Sequence, residues 1–383
     1  MKRKNYESLF PGMSAPVLIS TQENIYYAIG FSTAARRPAQ IGLNAVLMSR
    51  EGAWFVFPEA WAPLVAGQVD GEEVSLVPYP KEDKGPAEAI ARLLWDLGEG
   101  YHRDCVELGF ERGGLELSLY LDLEECLGKR GKAVAWQDVT PLFCQARLVK
   151  SEEEVLALKQ SAAVAREAME YAKTILHPGK TELDLVAELE YFMRRKGSEG
   201  VPFTMKALAG ENAARTINLP GRRRIRRGDV VLLDFGAVAG HYASDWTRSF
   251  AVGEASPRLT ELYRLVWQIE RECIARVRPG VNLKDLMECA GDMLKGHPLK
   301  PFFNPYLGHS IGLNSQEWPS IVPGADMELQ ENMVITIEPG IYVPGLGGVR
   351  IEDEVWVTAD GHEILTGLSE EGFVAGEGLS KGP

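Results

Sequence analysis

The stretch "DVVLLDFGAVAGHYASDWTRSF", residues 229–250, sets two acids inside apolar, β-prone chain: Asp234 in VVLLDF and Asp245 in YASDWT. A buried ionised carboxylate is costly unless it is paired or binds a metal. The two acids are eleven residues apart with Gly240 between them. A strand that leaves, turns and returns can bring both to one face.

The pattern recurs near the other end. Glu338 interrupts "VITIEPG" and Glu352 interrupts "GVRIEDEVW", fourteen residues apart across "PGIYVPGLGG". Four carboxylates carry a charge of −4, which two divalent cations would neutralise. Without cations, repulsion at close range raises pKa values and destabilises the fold. One imidazole completes a ligand set, and His309 in "GHSIGLNSQEWP" (308–319) is the candidate among six histidines. A lone histidine among apolar residues is ordinarily a core residue, and a single acid in a strand is ordinarily structural. The five together, beside Gly and Pro turns, read as metal-binding. Four oxygen donors and one nitrogen suit Mn²⁺, Co²⁺ or Fe²⁺ at least as well as Zn²⁺. Two ions about 3.5–4 Å apart activate a bridging water and polarise a carbonyl, which points to hydrolysis of an amide or similar bond.

Composition bounds the rest. The 383 residues suffice for two domains, and 45% hydrophobic with 25% charged residues is ordinary for a soluble globular protein. No apolar run approaches the roughly 20 residues needed to span a bilayer. The start, "MKRKNYESLFPGMSAP", lacks the apolar core of a secretory signal, so the expected location is cytoplasmic, without a membrane partner. Five cysteines, odd in number and without a C-x-x-C pair, argue against a disulfide framework and a thiolate metal site. A net charge of −13 disfavours nucleic acid as a partner. The basic run "RRRIRR" (222–227) reads as a solvated turn before a strand rather than a cationic rim for acidic partners.

Residues 1–145 alternate short strands and helices: "APVLIS", the strand pair "LNAVLMS" and "AWFVFP", the helix "GPAEAIARLLWDL", the strand "CVELGFE" and the helix "LELSLYLDLEECL". That is an α/β unit without a Gly-rich phosphate loop. From residue 146 the texture changes. "ARLVKSEEEVLALKQSAAVAREAMEYAKTIL" predicts one long helix, with Ser151 and Glu154 fitting a capping box. "PGKTELDLVAELEYFMRRKG" predicts a second helix stopped at Gly197. The strands "FTMKALAG", "DVVLLDFGAVAG" and "HYASDWTRSFAVG" follow. Two more helices, "SPRLTELYRLVWQIERECIARV" and "NLKDLMECAGDMLKG", precede the strands "NMVITIEPGIYV" and "GVRIEDEVWVT". Helix-helix-strands, twice over, suggests two similar halves in an α+β arrangement.

These residues resemble a known family, the Xaa-Pro peptidases, methionine aminopeptidases and creatinases of the "pita-bread" fold. "NIYYAIGF" resembles the creatinase-type amino-terminal domain, and "ARLVKSEEEV" the junction that follows it. "RRGDVVLLDFGA", "YASDWTRSF", "GHSIG", "ITIEPGIY" and "GGVRIEDEVWVTADG" resemble the five metal-ligand motifs in order. The resemblance implies a creatinase-like α/β domain over 1–145 and a pita-bread metallopeptidase domain over 146–383. It implies that Asp234, Asp245, His309, Glu338 and Glu352 hold two divalent ions, Mn²⁺ or Co²⁺ ahead of Zn²⁺ or Fe²⁺. Asp245 and Glu352 would bridge, Glu338 would also shuttle the proton of the attacking water, Thr247 would support the ligands, and Arg350 would orient the acids. A homodimer is implied as well.

Two positions depart from the family. A histidine expected within "AGENAARTINLP" is replaced by Ile217 or, with a shift, Asn218, and no histidine lies between His177 and His241. A second, seven residues after the metal histidine, is replaced by Gln316, a neutral donor in the catalytic group of residues. The family uses both to hold the substrate carbonyl and the developing tetrahedral intermediate. The expected function is therefore a dinuclear hydrolase resembling Xaa-Pro dipeptidase or aminopeptidase and acting on small peptides. The alternatives are a creatinase-like hydrolase of a small non-peptide C–N substrate and a metal-stabilised, non-catalytic peptide-binding homologue. Tyr342 and Trp318 are read as core rather than pocket residues, and His241 as a solvent-facing turn histidine.

Overall fold

A computed structural model describes residues 6–33, 43–81, 84–97 and 105–367 and the two-residue strand 374–375. The first five residues of the basic start, and His102, lie outside them. The chain divides into two compact units, Met1–Ala146 and Arg147–Pro383.

In the first unit, six strands form a mixed sheet in the order Ser75–Tyr79, Ala53–Pro58, Ala45–Met48, Val17–Ile19, Cys105–Phe110, Ala133–Asp138. "LNAVLMS" and "AWFVFP" do pair antiparallel, Ala45 opposite Val56. Helices Gly85–Leu97 and Leu117–Gly128 bury Ile90, Leu94, Leu119 and Leu123 against Leu47, Val56 and Leu108 of the sheet. "NIYYAIGF" is mostly helix, Gln22–Ile29, capped by the Thr21 side chain and stopped by left-handed Gly30.

The second unit contains the helix-helix-strands order twice. Helices Glu152–Ile175 and Glu182–Arg195 back the sheet ordered Val374–Ala375, Trp246–Val252, Val230–Phe235, Lys206–Ala209. Helices Pro257–Ile274 and Leu283–Met293 pack against the sheet ordered Glu317–Ile321, Gly308–Ser310, Val334–Ile337, Asp353–Val357, His362–Ile364. Each helix pair has its own apolar cluster. Val231, Leu233 and Phe235 face the first pair, whereas Val230 and Leu232 point the other way, into the second cluster. That alternation puts Asp234 on the inner face of its strand.

Five expectations change, the first being "DVVLLDFGAVAG", which is two strands, Val230–Phe235 and Val238–Ala239, in different sheets. The long helix begins at Glu152, because Ser151 caps it with a complete capping box, and residues 146–148 end a separate helix, Thr140–Leu148. "HYASDWTRSFAVG" is two strands, Tyr242–Ala243 and Trp246–Val252, interrupted at Ser244 and Asp245. "NMVITIEPGIYV" splits at Glu338 and Pro339, and "GVRIEDEVWVT" at Ile351 and Glu352. In each of these three strands the regular ladder stops at the acid, which frees it to turn away from a pleated row.

The run 222–227 is a turn ahead of Val230, with Ile225 buried, Arg223 paired to Asp229 at 2.6 Å and Arg224 donating to the Gly179 carbonyl. Among the described residues, no helix is long and apolar enough to cross a membrane, and the five cysteines are free thiols.

Candidate metal centre

Register assembles the site. Strand Val230–Phe235 runs between Lys206–Ala209 and Trp246–Val252, pairing Asp234 with Lys206 on one side and Thr247 on the other. Directly paired residues share a face, so Lys206, Asp234 and Thr247 form one polar row. Continuing the pairing of Trp246 with Phe235 by one step sets Asp245 opposite Gly236. A side chain at 236 would put a Cβ 1.6 Å from the Ser244 carbonyl oxygen, so only glycine admits this close return of the chain.

The second pair of acids is placed by a long, broken hairpin. Ile337 pairs with Asp353, and beyond the break Gly340 pairs with Arg350. The same register carried across the gap sets Glu338 opposite Glu352. An isolated bridge between Thr247 and Glu352 then joins this hairpin to the first sheet. His309 comes from the short strand Gly308–Ser310. Gly308, with φ +157°, has space for no Cβ, which would meet the Thr336 carbonyl oxygen at 1.9 Å.

All five candidate ligands are therefore brought to one place. Asp245, His309 and Glu352 each offer a donor atom within 4.8 Å of the others. His309 Nε2 lies 3.7 Å from Asp245 Oδ2 and 3.2 Å from Glu338 Oε1. Its other ring nitrogen, Nδ1, is 3.0 Å from the Ser310 carbonyl oxygen, which can only accept, so Nδ1 carries a hydrogen and Nε2 is the nitrogen that faces the acids, donating to Glu338 when the ring is protonated and offering a lone pair when it is neutral. Asp234 is held differently: Lys206 Nζ donates to its Oδ2 at 2.7 Å, and Arg350 donates to the same oxygen.

The centre is buried and electrically uneven. Burial and the neighbouring Glu352, Asp234 and Glu338 charges push the Asp245 carboxyl well above the usual range. Burial, with Glu338 and Asp234, pushes Glu352 up to about 8. For Asp234, burial is outweighed by Arg350 and Lys206, and its pKa is lowered. For His309, burial is outweighed by the hydrogen bond and charge of Glu338 and by Glu352, and its pKa is raised. Asp245 Oδ1 and Glu352 Oε1 are buried without a hydrogen-bond partner. Buried carboxylate oxygens left bare beside an imidazole nitrogen are what a divalent cation satisfies, so the residues fit a metal.

Supporting contacts are specific. Thr247 Oγ1 donates to Glu352 Oε2 at 2.6 Å and accepts from Arg350 Nε at 3.2 Å. Arg350 Nη1 donates to the Tyr342 hydroxyl at 2.6 Å. Tyr342 is buried like a core residue, yet it supports the arginine of the site. Thr336 accepts from the His309 N–H at 3.1 Å and approaches Glu338 Oε1 at 3.4 Å, and Glu354 Oε1 accepts from the Asp245 N–H at 2.8 Å. Lys206, Thr336 and Glu354 carry no motif of their own in the sequence. Their signal is register, which places each on the inner face beside an acid already under suspicion.

The substrate-side positions stand apart. Gln316 is exposed and donates to the Tyr306 hydroxyl, whose ring lies 6.2 Å from that of His309. Ile217 is 94% exposed, so its side chain is not packed into the cluster, and Asn218 donates to the Asn212 carbonyl at 3.4 Å. Trp318 is half exposed rather than core, which corrects that expectation. His241 sits at a turn with φ 68°, 3.4 Å from Glu199.

Known proteins resemble the chain along most of its length. Residues 157–359 match the profile of metallopeptidase family M24, and residues 14–149 match the creatinase/prolidase N-terminal domain. An Xaa-Pro dipeptidase of Pyrococcus horikoshii is 31% identical over 355 residues, covering 93% of each chain. The solved Xaa-Pro dipeptidase from Bacillus anthracis superposes with a TM-score of 0.83 at 28% identity, covering 94% of each chain. The prolidase from Pyrococcus furiosus gives 0.80 at 29%, covering 93% of this chain and 97% of its own.

Proposed function

The chain belongs to metallopeptidase family M24, with a creatinase/prolidase-type N-terminal domain ahead of a pita-bread catalytic domain, and on that premise we propose that it hydrolyses Xaa-Pro dipeptides or short peptides. The observation that carries the proposal is the buried set Asp245, His309 and Glu352, with carboxylate oxygens that no donor satisfies. In this reading Asp245, His309 and Glu352 hold a divalent ion, Mn²⁺ or Co²⁺ first, with Glu338 beside them. Such an ion supplies Lewis acidity, lowering the pKa of water and polarising a carbonyl. Glu338 takes and returns the proton. Its Oε1 is fixed near His309 and Thr336, and its Oε2 lies 3.9 Å from Arg350 Nε. Arg350, braced by Tyr342 and Thr247, keeps Asp234 and Glu338 in place. The two-ion form implied by the family resemblance needs Asp234 as a further ligand.

The domain limits proposed are 1–145 and 146–383. A homodimer is proposed on resemblance alone, and a cytoplasmic site on the five free thiols.

A second reading, hydrolysis of a small C–N substrate other than a peptide, is favoured by Ile217 and Gln316, which replace the two histidines expected to hold a peptide carbonyl. A panel of Xaa-Pro and other dipeptides, assayed with Mn²⁺ or Co²⁺ after chelation, tests the first reading. Proline release supports it. Silence across the panel, with turnover of an amidino or guanidino compound, selects the second.

A further inference from the structure

Lys206 belongs to none of the motifs that pointed to the centre, yet its ammonium reaches into it. Its strand pairs it with Asp234, and Nζ donates to Asp234 Oδ2 at 2.7 Å. Arg350, arriving from the opposing hairpin, donates to the same oxygen. The Asp234 side chain is 4% exposed and that of Lys206 29%, so the pair is sheltered from bulk water. The contrast with the other side of the centre is direct. Asp245 Oδ1 and Glu352 Oε1 have no donor at all, and those two acids close with His309 to within 4.8 Å.

Charge makes the same division. Asp234, Asp245, Glu338 and Glu352 bring four negative charges, and Lys206 and Arg350 offset two. One divalent ion offsets the remainder. A second would leave these six side chains with two excess positive charges, or one if the buried Glu354 beside Asp245 is counted, a condition that desolvation penalises.

We infer that Lys206 stands in for one metal ion: the centre takes a single divalent cation at Asp245, His309 and Glu352, and Asp234 is the counter-ion of Lys206 and Arg350. The inference rests on the reading of this cluster as a metal site and narrows the two-ion expectation that came with the family resemblance.

The test is stoichiometry. Chelator-treated wild-type protein and Lys206→Met are titrated with Mn²⁺ at neutral pH by calorimetry, with metal content measured after gel filtration and electron spin resonance of the loaded proteins. The expected result is one ion per chain with an isolated-ion spectrum in wild type, and two ions per chain with a coupled spectrum in Lys206→Met. Two tightly held ions in wild type overturn the inference and leave the metal site standing. One ion in both proteins overturns the role given to Lys206. No ion in either overturns the metal reading itself. Should Lys206→Met fail to fold, Asp234→Asn decides: retention of one ion supports the inference, and loss of that ion overturns it.

Discussion

Lys206 and Asp234, 28 residues apart in the chain, meet across neighbouring strands with Nζ 2.7 Å from Oδ2. The contact sets Asp234 apart from Asp245 and Glu352. Arg350 and Lys206 hold the pKa of Asp234 down against the effect of burial, whereas burial and neighbouring carboxylates drive Asp245 and Glu352 up. Asp245 and Glu352 cluster with His309, and Glu338 lies between His309 at 3.2 Å and Arg350 at 3.9 Å.

His309→Ala removes the nitrogen donor of the cluster. The melting temperature of the variant will no longer rise on addition of Mn²⁺ or Co²⁺, while the wild-type value will. Peptide hydrolysis will fall by more than about 10²-fold, the scale of losing one transition-state donor in other hydrolases. A variant whose metal-induced stabilisation matches wild type contradicts the assignment of His309 as a ligand.

Thr247→Val is nearly isosteric and deletes the hydroxyl that bonds both Glu352 and Arg350. Metal affinity is expected to drop about 10- to 100-fold, as when other outer-shell partners of ligands are removed. Far-ultraviolet circular dichroism will be unchanged. Calorimetric titration of metal reads the affinity directly, and an unaltered dissociation constant rules out a supporting role.

Glu317 anchors the segment after His309 from a nearly buried ion cluster: it pairs with Arg147, lies 3.8 Å from Lys150 and accepts from the Asn314 N–H at 3.1 Å. Burial raises its pKa, but Arg147 and Lys150 outweigh burial, and the net shift is downward. A carboxyl with a lowered folded pKa binds fewer protons when folded than when unfolded. Its stabilisation is therefore full above the unfolded value of about 4.3 and is lost as pH falls through the folded pKa. Glu317→Gln, which removes the carboxylate charge that faces Arg147 and Lys150, should cost about 3–5 kcal/mol at neutral pH. Its stability gap to wild type should narrow below about pH 4. Urea melts across that range provide the check, and a gap that stays constant with pH is the contrary result.

Gly236→Ala should destabilise the catalytic unit by about 2–4 kcal/mol, because backbone rather than a movable side chain occupies the space of the new Cβ. Gly280→Ala, where nothing lies within 4 Å but φ is +83°, is a control for backbone strain alone. Equal melting shifts for the two variants would show that the contact with the Ser244 carbonyl is unimportant.

What was legible in the sequence follows from contrast. Asp234, Asp245, Glu338 and Glu352 stood out because acids are expensive in apolar strands, and His309 because histidines are few. The capping pair Ser151 and Glu154 is readable too, and it marks the helix start at Glu152. Lys206 was not legible: a lysine in "FTMKALAG" looks like any solvent-facing strand residue, and only its register with Asp234 shows where it points. Tyr342 was hidden for the opposite reason, since a buried aromatic reads as core whether or not its hydroxyl holds an arginine. The breaks at Asp245, Glu338 and Glu352 escaped notice because β-prone composition continues straight through them, and the change of direction is set by which sheet each half joins.

The most direct measurement is chelation and reconstitution of the wild-type protein, with metal content and Xaa-Pro dipeptide hydrolysis followed on the same samples. The account predicts that removing metal abolishes hydrolysis and that Mn²⁺ or Co²⁺ restores it in step with ion uptake. Full turnover by metal-free protein, or a chain that takes up no divalent ion at all, would contradict it.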